Sequence, residues 1–127
     1  MSRPCPTKIG RAKSPFIALS HWELQTGRFR SLETLAAGRS MRSIAWALAL
    51  AASGRIHGVA TLESENEWDV AAGALLILET GGTVCDGSGQ DLEFNRPVPR
   101  YEGIIAAHPS CPDPVAQQLH ALSRMGT

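Results

Sequence analysis

The stretch Asn66-Glu67-Trp68-Asp69-Val70-Ala71-Ala72-Gly73-Ala74-Leu75-Leu76-Ile77-Leu78-Glu79-Thr80-Gly81-Gly82 is the part of this chain on which the fold turns. Asp69 stands at the front of nine residues, Val70 to Leu78, that contain no polar side chain, and Gly81-Gly82 ends the run. Such a run predicts a helix buried on nearly all sides, too short to cross a membrane. A carboxylate at its mouth needs a partner, because desolvating an unpaired charge is expensive. The free amides and dipole of the helix start supply part of one. On spacing alone, Asp69 serves either as a helix-start residue or as a functional ligand.

Working outward, Ile56 to Leu62 reads as a strand entering this helix, with β-branched Ile56, Val59 and Thr61. Upstream, Ser40 to Ser53 predicts another helix, with Ser40 as its cap and Gly54 closing it. Phe16 to Leu19 and Leu32 to Ala37 read as short strands, separated by a loop or short helix over 21–30. Downstream, Thr83 to Cys85 predicts a strand, Asp86-Gly87-Ser88-Gly89 a turn, and Gly103 to Ala107 another strand. Pro112 to Met125 is an amphipathic helix with Val115, Leu119 and Leu122 on one stripe. Strands alternating with helices give an α/β fold: a mixed sheet flanked by helices over residues 15–127, preceded by a mobile leader over 1–14.

Composition sets the outer limits. With 127 residues, 43% of them hydrophobic, and no net charge, the chain suits one globular domain. Net charge gives no argument for a nucleic-acid polymer or a membrane as partner. The charge is nevertheless uneven: residues 1–55 carry nine Lys or Arg against two acids, and residues 56–127 carry three against ten. Cys5, Cys85 and Cys111 form no zinc-type spacing, and together with the lack of a signal-peptide core they suggest a reduced, cytoplasmic protein. Cys85 reads as a small buried hydrophobe, and the histidines as structural or surface residues.

The order Trp68-Asp69-Val70-Ala71-Ala72-Gly73, then Glu79-Thr80-Gly81-Gly82, then Asp86-Gly87-Ser88-Gly89 resembles the C-terminal signature of the inositol monophosphatase family. That family comprises Mg²⁺-dependent phosphatases and includes 3′(2′),5′-bisphosphate nucleotidases. Phe94-Asn95-Arg96-Pro97 and Gly103-Ile104-Ile105-Ala106-Ala107 resemble the closing segments of bacterial members nearer the nucleotidases. The resemblance implies the C-terminal layer of a larger fold, with Asp69 as a Mg²⁺ ligand. It implies a small phosphorylated substrate, an inositol phosphate or a bisphosphate nucleotide, approached by Arg42, Ser43 and Glu63. Ser43 matches a hydroxyl position of the family, whereas Arg42 stands where glycine is usual. Leu62 stands where strict spacing puts a substrate-binding glutamate, with Glu63 one residue away.

Glu63, Glu65, Glu67 and Asp69 recur at every second position, which in an extended segment puts four acids on one face. Such a row gathers a cation or forms a solvated edge. The family's N-terminal half carries a glutamate and an Asp-Pro-x-Asp-Gly-Thr motif that provide most of the metal ligands. That motif does not occur in these 127 residues, so no catalytic residue is assigned. Two expectations follow: part of a phosphatase, completed by a missing N-terminal half, or a non-catalytic remnant or binding module. In either case exposed apolar surface is expected, with a homodimer as one way of covering it.

Overall fold

The computed structural model describes residues 15–33 and 35–125; the leader over 1–14 and Cys5 lie outside them. Five strands form one sheet: β1 (Phe16–Ser20), β2 (Ala37–Met41), β3 (Gly58–Asn66), β4 (Thr83–Asp86) and β5 (Arg100–Ala107). Their order across the sheet is β2-β1-β3-β5-β4. β1 lies parallel to both β2 and β3, while β5 runs antiparallel to β3 and β4. The helices are α1 (His21–Thr26), α2 (Arg30–Glu33), α3 (Ile44–Ala52), α4 (Glu67–Glu79) and α5 (Asp113–Met125). The fold is thus the expected α/β type with a mixed sheet.

Alternation along the strands sends side chains into two cores, as a period of two requires. Ala18, Val59, Val84, Ile104 and Ala106 face a cluster with Ile44, Leu48 and Ala51 of α3 and Val70, Ala74 and Ile77 of α4. Ile17, Leu19, Ala60, Cys85, Ile105 and Ala107 face a second cluster with Phe29, Leu32 and the Val115, Leu119 and Leu122 stripe of α5. Helices α3 and α4 therefore cover one face of the sheet, and α5 with α2 the other.

Three expectations need correction. The strand expected over Leu32 to Ala37 is a one-turn helix, α2, and the strand begins only at Ala37. Phe29, Leu32 and Ala36 are buried at helical spacing, whereas edge strand β2, Ala-Gly-Arg-Ser-Met, is only partly covered and carries little apolar signal. Ser40 lies within β2, and the residue that caps α3 is Ser43, whose Oγ accepts from the Trp46 amide at 3.1 Å.

The third correction concerns α4. It buries Val70, Gly73, Ala74 and Ile77 but leaves Trp68, Leu75, Leu76 and Leu78 exposed. An unbroken apolar run does not specify which side a single chain covers. The helix ends as the two glycines suggest, with Gly81 at φ 86°, a conformation that costs glycine little.

Candidate functional site

The three parallel strands β2, β1 and β3 end on the same edge of the sheet, and each leads into a helix. Ser20 at the end of β1 caps α1, Ser43 after β2 caps α3, and Asn66 at the end of β3 precedes α4. Ligands of open α/β sheets bind outside the carboxyl ends of their strands, where helix amides point outward. All four residues expected from sequence lie at this edge.

Asp69 is the third residue of α4 and is exposed, beside Glu67 in the same acidic first turn. Ser43 opens α3, and Arg42 precedes it as an exposed residue between β2 and the helix. The two helices meet where Gly73 faces Leu48. Asp69 and Ile44 each lie four residues before that contact, about 6 Å back along their axes. Asp69 and Ser43 therefore both lie at the N-terminal ends of neighbouring helices. Glu63 is exposed on β3, and its amide donates to Thr61 Oγ1 at 3.1 Å, next to a register shift between Thr61 and Ser64. Leu62 packs against the second core cluster, so it fills space beneath the edge.

The single row of four acids is not formed. β3 stops at Asn66, Glu67 enters the helix, and its Oε1 accepts from the Asn95 amide at 2.8 Å. Glu63, Glu65 and Asp69 still share a field. Burial, then Glu63, Asp69 and Glu23, raise the Glu65 carboxyl to about 7. Glu65 thus exchanges a proton near neutral pH. A carboxyl raised in the fold contributes stability that is fully present below its ordinary value of 4.5 and is lost as pH rises through about 7. Glu65→Gln is therefore expected to raise the thermal midpoint at pH 8 and to leave it nearly unchanged at pH 5, as melts at both pH values would show. Equal shifts at both would contradict that assignment.

Glu23, not singled out from sequence, is a supporting element of the site. It is fully buried; its Oε1 accepts from Ser20 Oγ at 2.9 Å and its Oε2 from the Leu62 amide at 2.8 Å. Arg28 stands 3.8 Å from Oε2. The Ser20-x-x-Glu23 spacing, a capping-box signature, was the available signal.

His21 opens α1 at this edge, whereas His57 and His108 lie elsewhere. His57 Nδ1 accepts from the Phe16 amide at 3.1 Å where β1 begins, at the opposite edge of the sheet. Burial and His108 lower its pKa, which suits a ring kept neutral as an acceptor. Burial, aided by Asp86 and Asp91, pushes the Cys85 thiol up to about 11, which suits a packed thiol rather than a nucleophile.

Among the described residues, no group of three or more His, Cys, Asp or Glu side chains converges as a metal-binding set. Mg²⁺ asks for near-octahedral oxygen ligation around one or two carboxylates. These residues alone do not fit a complete metal site. Nor is any described helix long and apolar enough to cross a membrane.

Comparison with known proteins agrees with this fold. The model of the "Inositol monophosphatase family" matches residues 16–124. Inositol monophosphatase 2 of Solanum lycopersicum is 42% identical over 59 residues, covering 44% of this chain and 22% of the relative. A protein described as a putative Nus factor SuhB, from Neisseria meningitidis, is 36% identical over 94 residues, covering 72% of this chain and 32% of the relative. The inositol monophosphatase structure from Anabaena (Nostoc) superposes with a TM-score of 0.63 at 25% identity, over 86% of this chain and 45% of that one. The chain thus spans less than half the length of each of these relatives. With the family model matching nearly its whole described length, the chain belongs to the inositol monophosphatase family.

Proposed function

We propose that this chain supplies the C-terminal part of a Mg²⁺-dependent phosphomonoesterase, acting on an inositol phosphate or a bisphosphate nucleotide. The observation that carries this reading is the pairing of opposite tendencies at one edge of the sheet. The start of α3, with Ser43 and Arg42, favours an anion. The start of α4, where Asp69 stands near Glu65 and Glu63, favours a cation beside it. A phosphate ester bound through a metal ion satisfies both. Arg42 offers a guanidinium to phosphate, Ser43 a hydroxyl, and Asp69 a carboxylate oxygen of the kind a hard cation takes. In the completed site the metal would polarise the phosphoryl group.

Since one carboxylate does not assemble the metal site, the purified chain is expected to release little or no phosphate from inositol monophosphate or adenosine 3′,5′-bisphosphate. The chain completed by a segment bearing Asp-Pro-x-Asp-Gly-Thr is expected to release it with Mg²⁺. Asp69→Asn should then lower the rate on the order of 10²-fold, the loss of a few kcal/mol of charge stabilisation. An unchanged rate in that variant would remove Asp69 from the site. A non-catalytic role is favoured by one observation, the Arg42 side chain standing where family members have glycine. Absence of release by the completed protein would decide for it.

A further inference from the structure

We infer that the exposed Trp22 ring, braced by Arg28, is a stacking platform for the nucleobase of a bisphosphate nucleotide, beside the edge where Ser43 and Asp69 stand. This rests on the chain being part of a phosphatase for small phosphorylated substrates, and it narrows that substrate to a nucleotide. Trp22, the second residue of α1, is 54% exposed and leaves a large aromatic face to solvent. Among the described residues, Trp22 alone of the three tryptophans has a guanidinium over its ring, with Arg28 Cζ 5.6 Å from the centroid.

The pair is built into the fold rather than left loose on the surface. Arg28 follows Gly27, whose left-handed φ of 70° closes α1. It stands 3.8 Å from Oε2 of the fully buried Glu23. The same carboxylate oxygen accepts from the Leu62 amide, so the anchor that holds Arg28 is tied to β3. The guanidinium takes one face of the indole, and more than half of the residue stays open to solvent. A flat, electron-rich ring with a fixed cation at one face is what a purine or pyrimidine stacks on.

Strand register puts this platform beside the proposed phosphate site. Ser20 pairs with Met41 on β2; Trp22 and Ser43 each lie two residues beyond that pair, and Arg42 one. On the other side Leu19 pairs with Ala60 on β3, and Trp22 and Glu63 each lie three residues beyond. Neighbouring strands are about 5 Å apart. Trp22 thus leaves the edge between the start of α3, which favours an anion, and the acidic stretch that leads into α4. A nucleotide uses both features at once, its phosphate at Ser43 and Arg42 and its base on Trp22. An inositol phosphate carries hydroxyls and no aromatic face. Leu62, standing where strict family spacing puts a substrate-binding glutamate, packs against the second core cluster instead.

The test titrates the chain with adenosine 3′,5′-bisphosphate, inositol monophosphate and inorganic phosphate, and follows the Trp22 indole N–H signal by NMR. Trp22 and Arg28 both belong to this chain, so the test needs no completed metal site. The nucleotide is expected to shift the Trp22 signal, and the other two to leave it in place. Trp22→Ala should weaken nucleotide binding about tenfold or more, as loss of base stacking does, and Trp22→Phe should keep most of it. Because Trp22 is exposed, both variants keep the fold. The inference is overturned if the nucleotide leaves the Trp22 signal unmoved, or if inositol monophosphate moves it equally. It is also overturned if Trp22→Ala binds the nucleotide as tightly as the parent chain. None of these readouts involves phosphate release. A completed protein that hydrolyses inositol monophosphate with Mg²⁺ while Trp22 stays unmoved would end the base subsite and leave the phosphatase reading standing.

Discussion

Replacing Gly73 by leucine is expected to destabilise the chain by about 3 kcal/mol or more, the upper range for overpacking a closed contact. A Cβ on Gly73 would stand 2.5 Å from Leu48 Cβ and 3.0 Å from Leu48 Cδ1. Both residues belong to buried stripes, so neither side chain can turn into solvent. Any side chain at this position must push α3 and α4 apart. Alanine is the milder probe, because overpacking of about 1–3 kcal/mol is offset by up to ~1 kcal/mol of helix propensity. Urea denaturation followed by far-UV circular dichroism would measure both, with alanine falling between wild type and leucine. Leu48→Ala should not recover the loss in the Gly73→Ala background, because alanine keeps the Cβ that stands 2.5 Å from the added one. An unchanged midpoint in Gly73→Leu would show that the helices are not in close contact. The same separation moves Ser43 away from Asp69, so the variant also tests the geometry on which the proposed site depends.

That contact also shows what was legible in the chain and what was not. Helix α4 was visible because its apolar run has a marked start and two glycines at its end. β1 and β5 were visible as short apolar runs because both faces of those strands are buried. β2 was missed because it is an edge strand with one small residue, one glycine and two polar ones. The apolar residues assigned to it belong to the turn of α2 just before it.

That the expected exposed apolar surface falls on the outer face of α4 was not legible, for a different reason. Hydrophobicity records the surface a segment needs covered, not whether its own chain covers it. The site was legible only through resemblance. Asp69 and Ser43 carry no local mark that separates a ligand from a helix-start residue. Glu65 acquires its raised pKa chiefly from burial, then from Glu63, Asp69 and Glu23, and Glu23 is brought to it by the pairing of β1 with β3. No local spacing states that long-range fact. The same holds for Glu67, which leaves the acidic row because the chain turns into a helix at that residue and its carboxylate meets the Asn95 amide.

Glu23→Leu is the second substitution with a large expected effect, about 2–4 kcal/mol of lost stability. Two separate losses make up that figure. The Leu62 amide would be left buried without an acceptor, which costs about 1–3 kcal/mol. At the start of α1, Ser20 Oγ would keep the residue-23 amide but lose the carboxylate to which it donates at 2.9 Å, a hydrogen bond with a net worth of about 1 kcal/mol. Leucine fills much of the volume, so the loss reports polar contacts more than a cavity. Glu23→Gln separates the parts: its amide oxygen can still accept from Leu62, and the cost should fall to about 1 kcal/mol, the net worth of one hydrogen bond. Because Glu23 also raises the Glu65 carboxyl, either substitution should bring the Glu65 titration below about 7. Carboxyl-carbon NMR of the titrating chain would detect that change independently of unfolding. A Glu65 titration unmoved by Glu23→Gln would mean that the two carboxylates do not share a field, and Glu23 would then be a structural clasp between β1 and β3 with no part in tuning the edge where Asp69 stands.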